Sequence, residues 1–140
     1  MKILLAVDGS TYSKKMLAYL ATHDTLFTTA HEYTVFNAQP PLPPRARSAL
    51  GKDTVEKYYA EEGDKVLNPV RKFLKRHGIE AKSSFKVGHA GELISKAAQD
   101  GEFDLLVMGS HGNGAIMTLV MGSVATQVLA HCKVPVLVVR

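Results

Sequence analysis

Apolar and polar positions follow two alternating patterns along the chain, short strand-like segments and longer segments with helical spacing. The strand-like segments cover 2–7, 32–38, 80–87, 104–108 and 134–139. The helical segments begin at Ser10 or Thr11, which we expect to cap the first helix, and recur over about 53–77, 90–99 and 123–131. Regular alternation of strands and helices predicts an α/β fold with a mainly parallel sheet.

The connections between the predicted strands define their order. Right-handed crossovers predict a single doubly wound, Rossmann-like, five-stranded sheet of order 3-2-1-4-5, with helices on both faces and residues 1–140 as one domain. In this order strands one and four are neighbours at the switch point, where ligands bind beyond the carboxyl ends of the strands. Asp8 and Gly109 follow those two ends, so two separate signals predict one crevice.

Prolines interrupt the regular pattern in two places. Residues 39–51 contain four prolines, so we expect neither a helix nor a central strand there, but a long loop that acts as a lid or a partner-binding segment. Pro69 lies inside the predicted helix of residues 53–77 and is expected to kink or break it. Gly78 is expected to end that helix as its C-cap.

The composition and net charge of the chain limit the kinds of molecule that it is expected to bind. A hydrophobic fraction of 46%, a charged fraction of 21% and a net charge of +4 predict a soluble globular protein. The basic residues of 71–76 lack interleaved aromatic residues, which favours a solvated helix face over a nucleic-acid patch. No apolar run reaches the length of a membrane span or of a signal peptide, and the single cysteine, Cys132, suits a reducing compartment. We therefore expect a cytoplasmic protein with no nucleic-acid or membrane partner.

The segment 108–112 (MGSHG), followed by Gly122 and Ser123, is the most informative stretch. Glycines between a strand and a helix allow a close approach of the backbone to a ligand and positive φ angles. The helix N-terminus adds free N–H groups and a partial positive charge, which favour a phosphate. The stretch lacks the lysine of a phosphate loop and the glycine spacing of a dinucleotide fingerprint, so on the glycines alone ordinary turns remain an alternative.

The spacing Gly109-x2-Gly112-x9-Gly122-Ser123 resembles the nucleotide-binding signature of the universal stress protein family. Residues 3–10, 104–109, 122–125 and 132–139 resemble the first strand and turn, the fourth strand and the C-terminal end of that family, so the resemblance covers nearly the whole chain. It implies the α/β fold predicted above, a homodimer, and the ATP-binding subgroup that carries the signature.

The resemblance also implies residue roles. The first turn contacts the nucleotide through Ala6, Val7 and Asp8, with Asp8 reaching ribose hydroxyls or a base nitrogen. Ala38 lies against the adenine, and Met108 and Gly109 flank the ribose and base. The phosphates are wrapped by Ser110, His111 and Gly112. They also receive N–H groups from Gly122, Ser123 and Val124, and the Ser123 hydroxyl adds one donor.

Residues 113–121 contain no basic side chain, although many family members carry basic residues there. The phosphate charge must then be met by backbone N–H groups, by His111, by Mg²⁺ or another divalent ion bound through the phosphates, or by a more distant Lys or Arg. The histidines show no metal-binding pair, so no protein side chain is predicted as a metal ligand. The preference between ATP and AMP stays open.

These observations favour a nucleotide-dependent stress-response or signalling module that binds ATP. We expect a homodimer through residues 134–139, because an apolar edge strand is self-complementary under a two-fold axis. The alternative is an ATP-cleaving or adenylating enzyme of the adenine nucleotide α-hydrolase group, whose Ser-Gly-Gly-x-Asp-Ser loop is only partly similar to residues 8–10. At most slow hydrolysis is expected, because no positioned base is evident. A structural interaction protein with an empty crevice is the third hypothesis.

Overall fold

The computed structural model describes residues 1–113 and 120–140, and its strands form one sheet of order β3-β2-β1-β4-β5. All four strand pairings are parallel. The strands are β1 (Lys2–Ala6), β2 (Glu32–Gln39), β3 (Ala81–Val87), β4 (Leu105–Gly109) and β5 (Val136–Val139). The predicted strand order is confirmed, and the strand bounds differ from the predicted ones by one or two residues at most ends.

Helices cover both faces of this sheet, as predicted. In the described part of the chain they are α1 (Thr11–Thr22), α2 (Pro44–Leu50), α3 (Lys52–Arg76), α4 (Ala90–Asp100) and α5 (Ser123–His131). Alternate residues of β1 separate the two layers, since Ile3 and Leu5 pack against α1 and α3, whereas Leu4 and Ala6 pack against α4 and α5. Ile3, Leu4 and Leu5 are at most 1% exposed, and each fully buried side chain of this size stabilises the fold by about 1.5–3 kcal/mol.

The proline-rich segment contains a helix, so the prediction for residues 39–51 is wrong in part. Gln39 still belongs to β2, and α2 begins at Pro44. Proline is tolerated at the first helical position because its missing N–H would have no intrahelical partner there. Gly51, with φ +80°, ends α2 and immediately precedes α3. No residue of α2 is buried.

Pro69 does not break α3, which is continuous from Lys52 to Arg76. Lys65 and Pro69 are both exposed, so water can satisfy the Lys65 carbonyl that lacks the Pro69 N–H. The helix ends where predicted, although the C-cap residue is His77 and Gly78 is the residue after it. Gly78 has φ +78°, its N–H donates to the Lys75 carbonyl, and the Ile79 N–H donates to the Leu74 carbonyl. In the described residues, no helix is long and apolar enough to cross a membrane.

Candidate functional site

A crevice of about 510 Å³ lies beyond the carboxyl ends of β1 and β4, on the side of the sheet covered by α4 and α5. These two strands are neighbours, with Ala6 opposite Met108, so the crevice is at the predicted switch point. Its lining residues are Ala6, Val7, Asp8, Ser13, Ala38, Pro40, Ala90, Ile94, Met108, Gly109, His111, Gly112, Asn113, Gly122, Ser123, Val124 and Ala125.

Ser110 is the one residue of the predicted site that does not line the crevice. It is fully buried, and its hydroxyl is 2.7 Å from Nδ1 of His111. Its backbone N–H donates to the Val139 carbonyl, and its carbonyl accepts the Gly122 N–H, both at 2.8 Å. Ser110 therefore joins the end of β4 to β5 and to the start of α5. Its side chain contacts His111 and does not line the crevice, whereas the family resemblance implied that Ser110 contacts the phosphates.

Asp8 is held in a fixed orientation just beyond the carboxyl end of β1. Its Oδ1 accepts the Ser10 N–H at 2.9 Å and the Ser13 hydroxyl at 2.8 Å, while its own N–H donates to the Ser13 hydroxyl at 3.0 Å. Ser10 also caps α1, as predicted, through the Ser13 N–H. Because Oδ1 is engaged by two donors, Oδ2 is the carboxylate oxygen with acceptor capacity left at the crevice, beside Gly112.

Glycines in the signature are required by space rather than by backbone conformation. None of Gly109, Gly112 and Gly122 has a positive φ, so the expectation of positive φ at these positions is wrong. A Cβ at Gly109 would lie 2.8 Å from Cβ of Tyr12, and one at Gly122 would lie 3.2 Å from Cα of His111. In the turn that follows β1, however, Gly9 has φ +79° and does need a glycine.

The N-terminus of α5 forms one wall of the crevice. Gly122 is the N-cap residue, and no side chain caps the helix. The first intrahelical bond comes from the Thr126 N–H to the Gly122 carbonyl, so the N–H groups of Ser123, Val124 and Ala125 have no partner within the helix. All three residues line the crevice, which gives that wall hydrogen-bond donors and the positive end of a helix dipole.

His111 and its neighbours form the rim of the crevice near the first turn. The His111 ring lies 4.6 Å from the Tyr12 ring, and Nζ of Lys15 lies 4.8 Å from the Tyr12 ring centroid. Among the described lining residues, Asp8 is the only acidic residue, and neither Lys nor Arg is present. Lys15 is therefore a candidate for the more distant cation that the sequence left open.

Several lining residues were not predicted from the sequence. Asn113 donates from Nδ2 to the Asp8 carbonyl at 2.9 Å, a contact across 105 positions that no local pattern signals. Ser13 was detectable only as a polar residue near a helix start. Ala90 and Ile94 follow the predicted inward face of their helix, but that periodicity does not indicate which end of the helix meets a ligand. The predicted turn at Gly114, and most of the segment without basic residues, lie outside the described residues.

The basic residues of α3 lie on a helix that packs against the opposite face of the sheet from this crevice. A shallow depression of about 740 Å³ is lined there by Asn68, Pro69, Lys72, Lys75 and Arg76. All of these residues belong to one helix, so among the described residues no second element encloses the depression. Across residues 1–113 and 120–140, no group of three His, Cys, Asp or Glu side chains is placed to hold a metal ion.

The fold and the crevice define a doubly wound α/β protein with a crevice at the switch point of its sheet. The chain belongs to the universal stress protein family, whose model matches residues 1–140. It is 35% identical to universal stress protein Slr1230 of Synechocystis over 140 residues, 99% of this chain and 42% of that protein. It is 30% identical to the universal stress protein in the QAH/OAS sulfhydrylase 3'region of Thermus aquaticus over 141 residues, 99% of this chain and 97% of that protein.

The chain spans less than half the length of Slr1230, 42% of that protein. The sequence match to universal stress protein MJ0577 of Methanocaldococcus jannaschii is local, with 35% identity over 80 residues, 57% of this chain and 49% of that protein. The solved structure of MJ0577 has a TM-score of 0.82 at 26% identity and covers 99% of this chain and 94% of that chain. Two further structures share the fold at lower identity. An Arabidopsis thaliana family protein with AMP bound has a TM-score of 0.70 at 17% identity, with coverage of 99% and 90%. The Archaeoglobus fulgidus universal stress protein in complex with dAMP has a TM-score of 0.71 at 22% identity, with coverage of 100% and 98%.

Proposed function

We propose that residues 1–140 act as one domain that binds an adenine nucleotide in the crevice, with ATP and a divalent ion such as Mg²⁺ as the complete ligand. The observation that carries the proposal is the position of the α5 N-terminus, whose uncapped N–H groups line the crevice together with the carboxylate of Asp8. Donors without a partner on one wall and a fixed acceptor at the first turn are complementary to a phosphate and to a ribose hydroxyl, respectively.

The remaining surface of the crevice suits a purine base. Ala6, Ala38, Ile94 and Met108 supply apolar contacts on one side of the sheet. A pocket of mostly apolar residues with a few convergent polar groups is the usual architecture of a small-molecule site. Structural neighbours that carry AMP, dAMP or cAMP support the same class of ligand.

The charge of the site favours a divalent ion with ATP. The described lining residues include one carboxylate and no Lys or Arg, so backbone N–H groups alone would face the charge of a triphosphate. An ion that bridges the phosphates reduces that charge without needing a protein ligand. We therefore expect Mg²⁺ to matter more for ATP than for AMP.

The biological role that follows is a nucleotide-dependent stress-response or signalling module in the cytoplasm. The enzyme alternative requires positive charge placed at the γ-phosphate, and the described lining residues include no Lys or Arg to supply it. The hydrogen bonds of Asp8 Oδ1 with Ser10 and Ser13, and of His111 Nδ1 with Ser110, hold these two side chains in place beside a ligand. An empty crevice, the third hypothesis, is opposed by the N–H groups at the start of α5, which no described side chain caps.

The proposed homodimer forms through residues 134–139, of which Val136–Val139 is the edge strand β5. The carbonyls of Pro135 and Val139 accept N–H groups from the β4 side, so Val136 and Val138 direct their backbone groups to the open edge. A second copy of the same edge can pair with these groups across a two-fold axis.

The experiment begins with denaturation of the purified protein and chromatography of any released adenine nucleotide. The ligand-free protein is then titrated calorimetrically with ATP, with and without Mg²⁺, and with AMP. We expect heat of binding for ATP with Mg²⁺, weaker binding without the ion, and little dependence on Mg²⁺ for AMP. The absence of both heat and thermal shift with ATP and AMP would refute nucleotide binding.

A further inference from the structure

Asn37 is a buried polar residue that lies next to the crevice without lining it. It is 3% exposed and follows Phe36 in β2, on the face of the sheet that packs against α1 and α3. Its Nδ2 donates to the Val7 carbonyl at 2.9 Å, while its Oδ1 has no hydrogen-bond partner among the described residues. An unsatisfied buried acceptor destabilises a fold, so stability alone favours an apolar residue of this shape at position 37.

The contact with Val7 lies where the β1–β2 ladder ends. The last residue pair of the ladder is Ala6 with Phe36, and the last ladder bond runs from the Val7 N–H to the Phe36 carbonyl at 3.0 Å. In a parallel ladder the next bond would join the Ala38 N–H to the Val7 carbonyl. That carbonyl instead accepts the amide of Asn37.

The consequence appears at Ala38, which does line the crevice. Backbone groups of successive strand residues point alternately to the two neighbouring strands, and the Gln39 carbonyl accepts the Gly88 N–H on the β3 side. Ala38 therefore directs both its N–H and its carbonyl to the β1 side, beyond the last ladder bond. Neither group takes part in a ladder within the described residues.

We infer that Asn37 is a positioning residue that occupies the Val7 carbonyl and so keeps the Ala38 N–H available to the base of a bound nucleotide. The inference rests on the proposed function and specifies its base selectivity. A neighbouring donor and acceptor on one backbone unit complement the edge of adenine, where ring N1 accepts and the 6-amino group donates. The corresponding edge of guanine has the reverse arrangement and is disfavoured by the same two groups.

The variants Asn37→Leu and Asn37→Val remove the amide without adding a polar group. Two variants are used so that the measurement can still be made if one of them fails to fold. Gln39→Leu is the matched control. Gln39 is 7% exposed, lies on the same face of β2, and donates from Nε2 to the Tyr59 carbonyl, so its loss removes a similar buried amide away from Val7.

The first measurement is hydrogen exchange of the Ala38 amide by NMR in the ligand-free protein. We expect rapid exchange in the unmodified protein and in Gln39→Leu, and exchange slower by at least about tenfold in both Asn37 variants, where Ala38 can bond to Val7. Equal Ala38 exchange in all four proteins overturns the role of Asn37, whatever the nucleotide affinity.

The second measurement is the affinity for Mg²⁺–ATP and for its 1-deaza analogue, which has C–H in place of the N1 acceptor. We expect the unmodified protein and Gln39→Leu to prefer ATP by about tenfold, and the Asn37 variants to lose that preference. Retention of the preference in the Asn37 variants overturns the inference. Failure of the unmodified protein to bind ATP overturns the proposed function instead, and the exchange result distinguishes the two failures.

Discussion

The carboxylate of Asp8 lies against Gly112 so closely that a Cβ at Gly112 would come within 2.7 Å of Oδ2. This contact joins the turn after β1 to the turn after β4 across the mouth of the crevice. The Asn113 side chain adds a second connection through the Asp8 carbonyl. The two turns therefore behave as one unit, and a change in either is expected to alter the site.

Gly112→Ala is the smallest change that tests this unit. The new methyl group would displace Asp8, and rotation of the carboxylate would break its bonds to Ser10 and Ser13. We expect ATP affinity to fall by about tenfold or more, measured by calorimetry. Equal affinities for Gly112→Ala and the unmodified protein would contradict the prediction.

Gly122→Val is expected to abolish binding. Its Cβ would lie 3.2 Å from Cα of His111 and 3.3 Å from the Ser110 carbonyl oxygen, and both are backbone atoms that cannot rotate away. We also expect a loss of stability of about 1–3 kcal/mol, the usual result of overpacking, measured by denaturant unfolding.

The control for Gly122→Val is Ser123→Ala, which removes only the hydroxyl and leaves the N–H groups of α5 in place. It is expected to lower affinity by less than about tenfold. A folded Gly122→Val protein with unchanged affinity for ATP would show that the signature is only a turn.

Val138→Pro is expected to convert the proposed dimer to a monomer. The Val138 N–H points away from β4, so proline removes a bond to the partner and spares the β4–β5 ladder. Leu137→Pro is the contrasting variant, because the ladder requires the Leu137 N–H and its loss should destabilise the fold. Light scattering coupled to gel filtration measures the mass of each. A monomeric unmodified protein at micromolar concentration would refute the dimer.

Hydrolysis of ATP is expected to be slow, with turnover well below about 1 per second, the lower end of the usual enzyme range. The described lining residues offer no Lys or Arg to stabilise charge at the γ-phosphate, and Asp8 is held by its serine partners. Phosphate release under multiple-turnover conditions is the measurement. Rapid release that a single substitution at Asp8 or His111 abolishes would place the protein among the enzymes.

The sheet order and most elements were predictable because they depend on local periodicity and on the handedness of connections. The apolar run of β1 and the glycine after α3 each indicate one structure with few competitors. The helix at Pro44 was missed because four nearby prolines outweighed the fact that proline suits a helix start.

The candidate site was predictable as a location and less so in its details. Asp8 lies just beyond β1 and Gly109 is the last residue of β4, so topology alone brings them together. The burial of Ser110 and the contact between Asn113 and Asp8 depend on packing between segments far apart in the sequence. The glycines were expected to supply unusual backbone angles, but their neighbours instead leave no room for a side chain.

Helix α2 is exposed and lies a few residues after a residue that lines the crevice. Pro40, a few residues before it, lines the crevice, and the Leu42 N–H donates to the Tyr59 hydroxyl on α3 at 2.9 Å. Because α2 buries no residue, its displacement removes no side chain from the core. A reporter or affinity label attached within α2 would therefore disturb the core little while remaining close in sequence to a wall of the crevice.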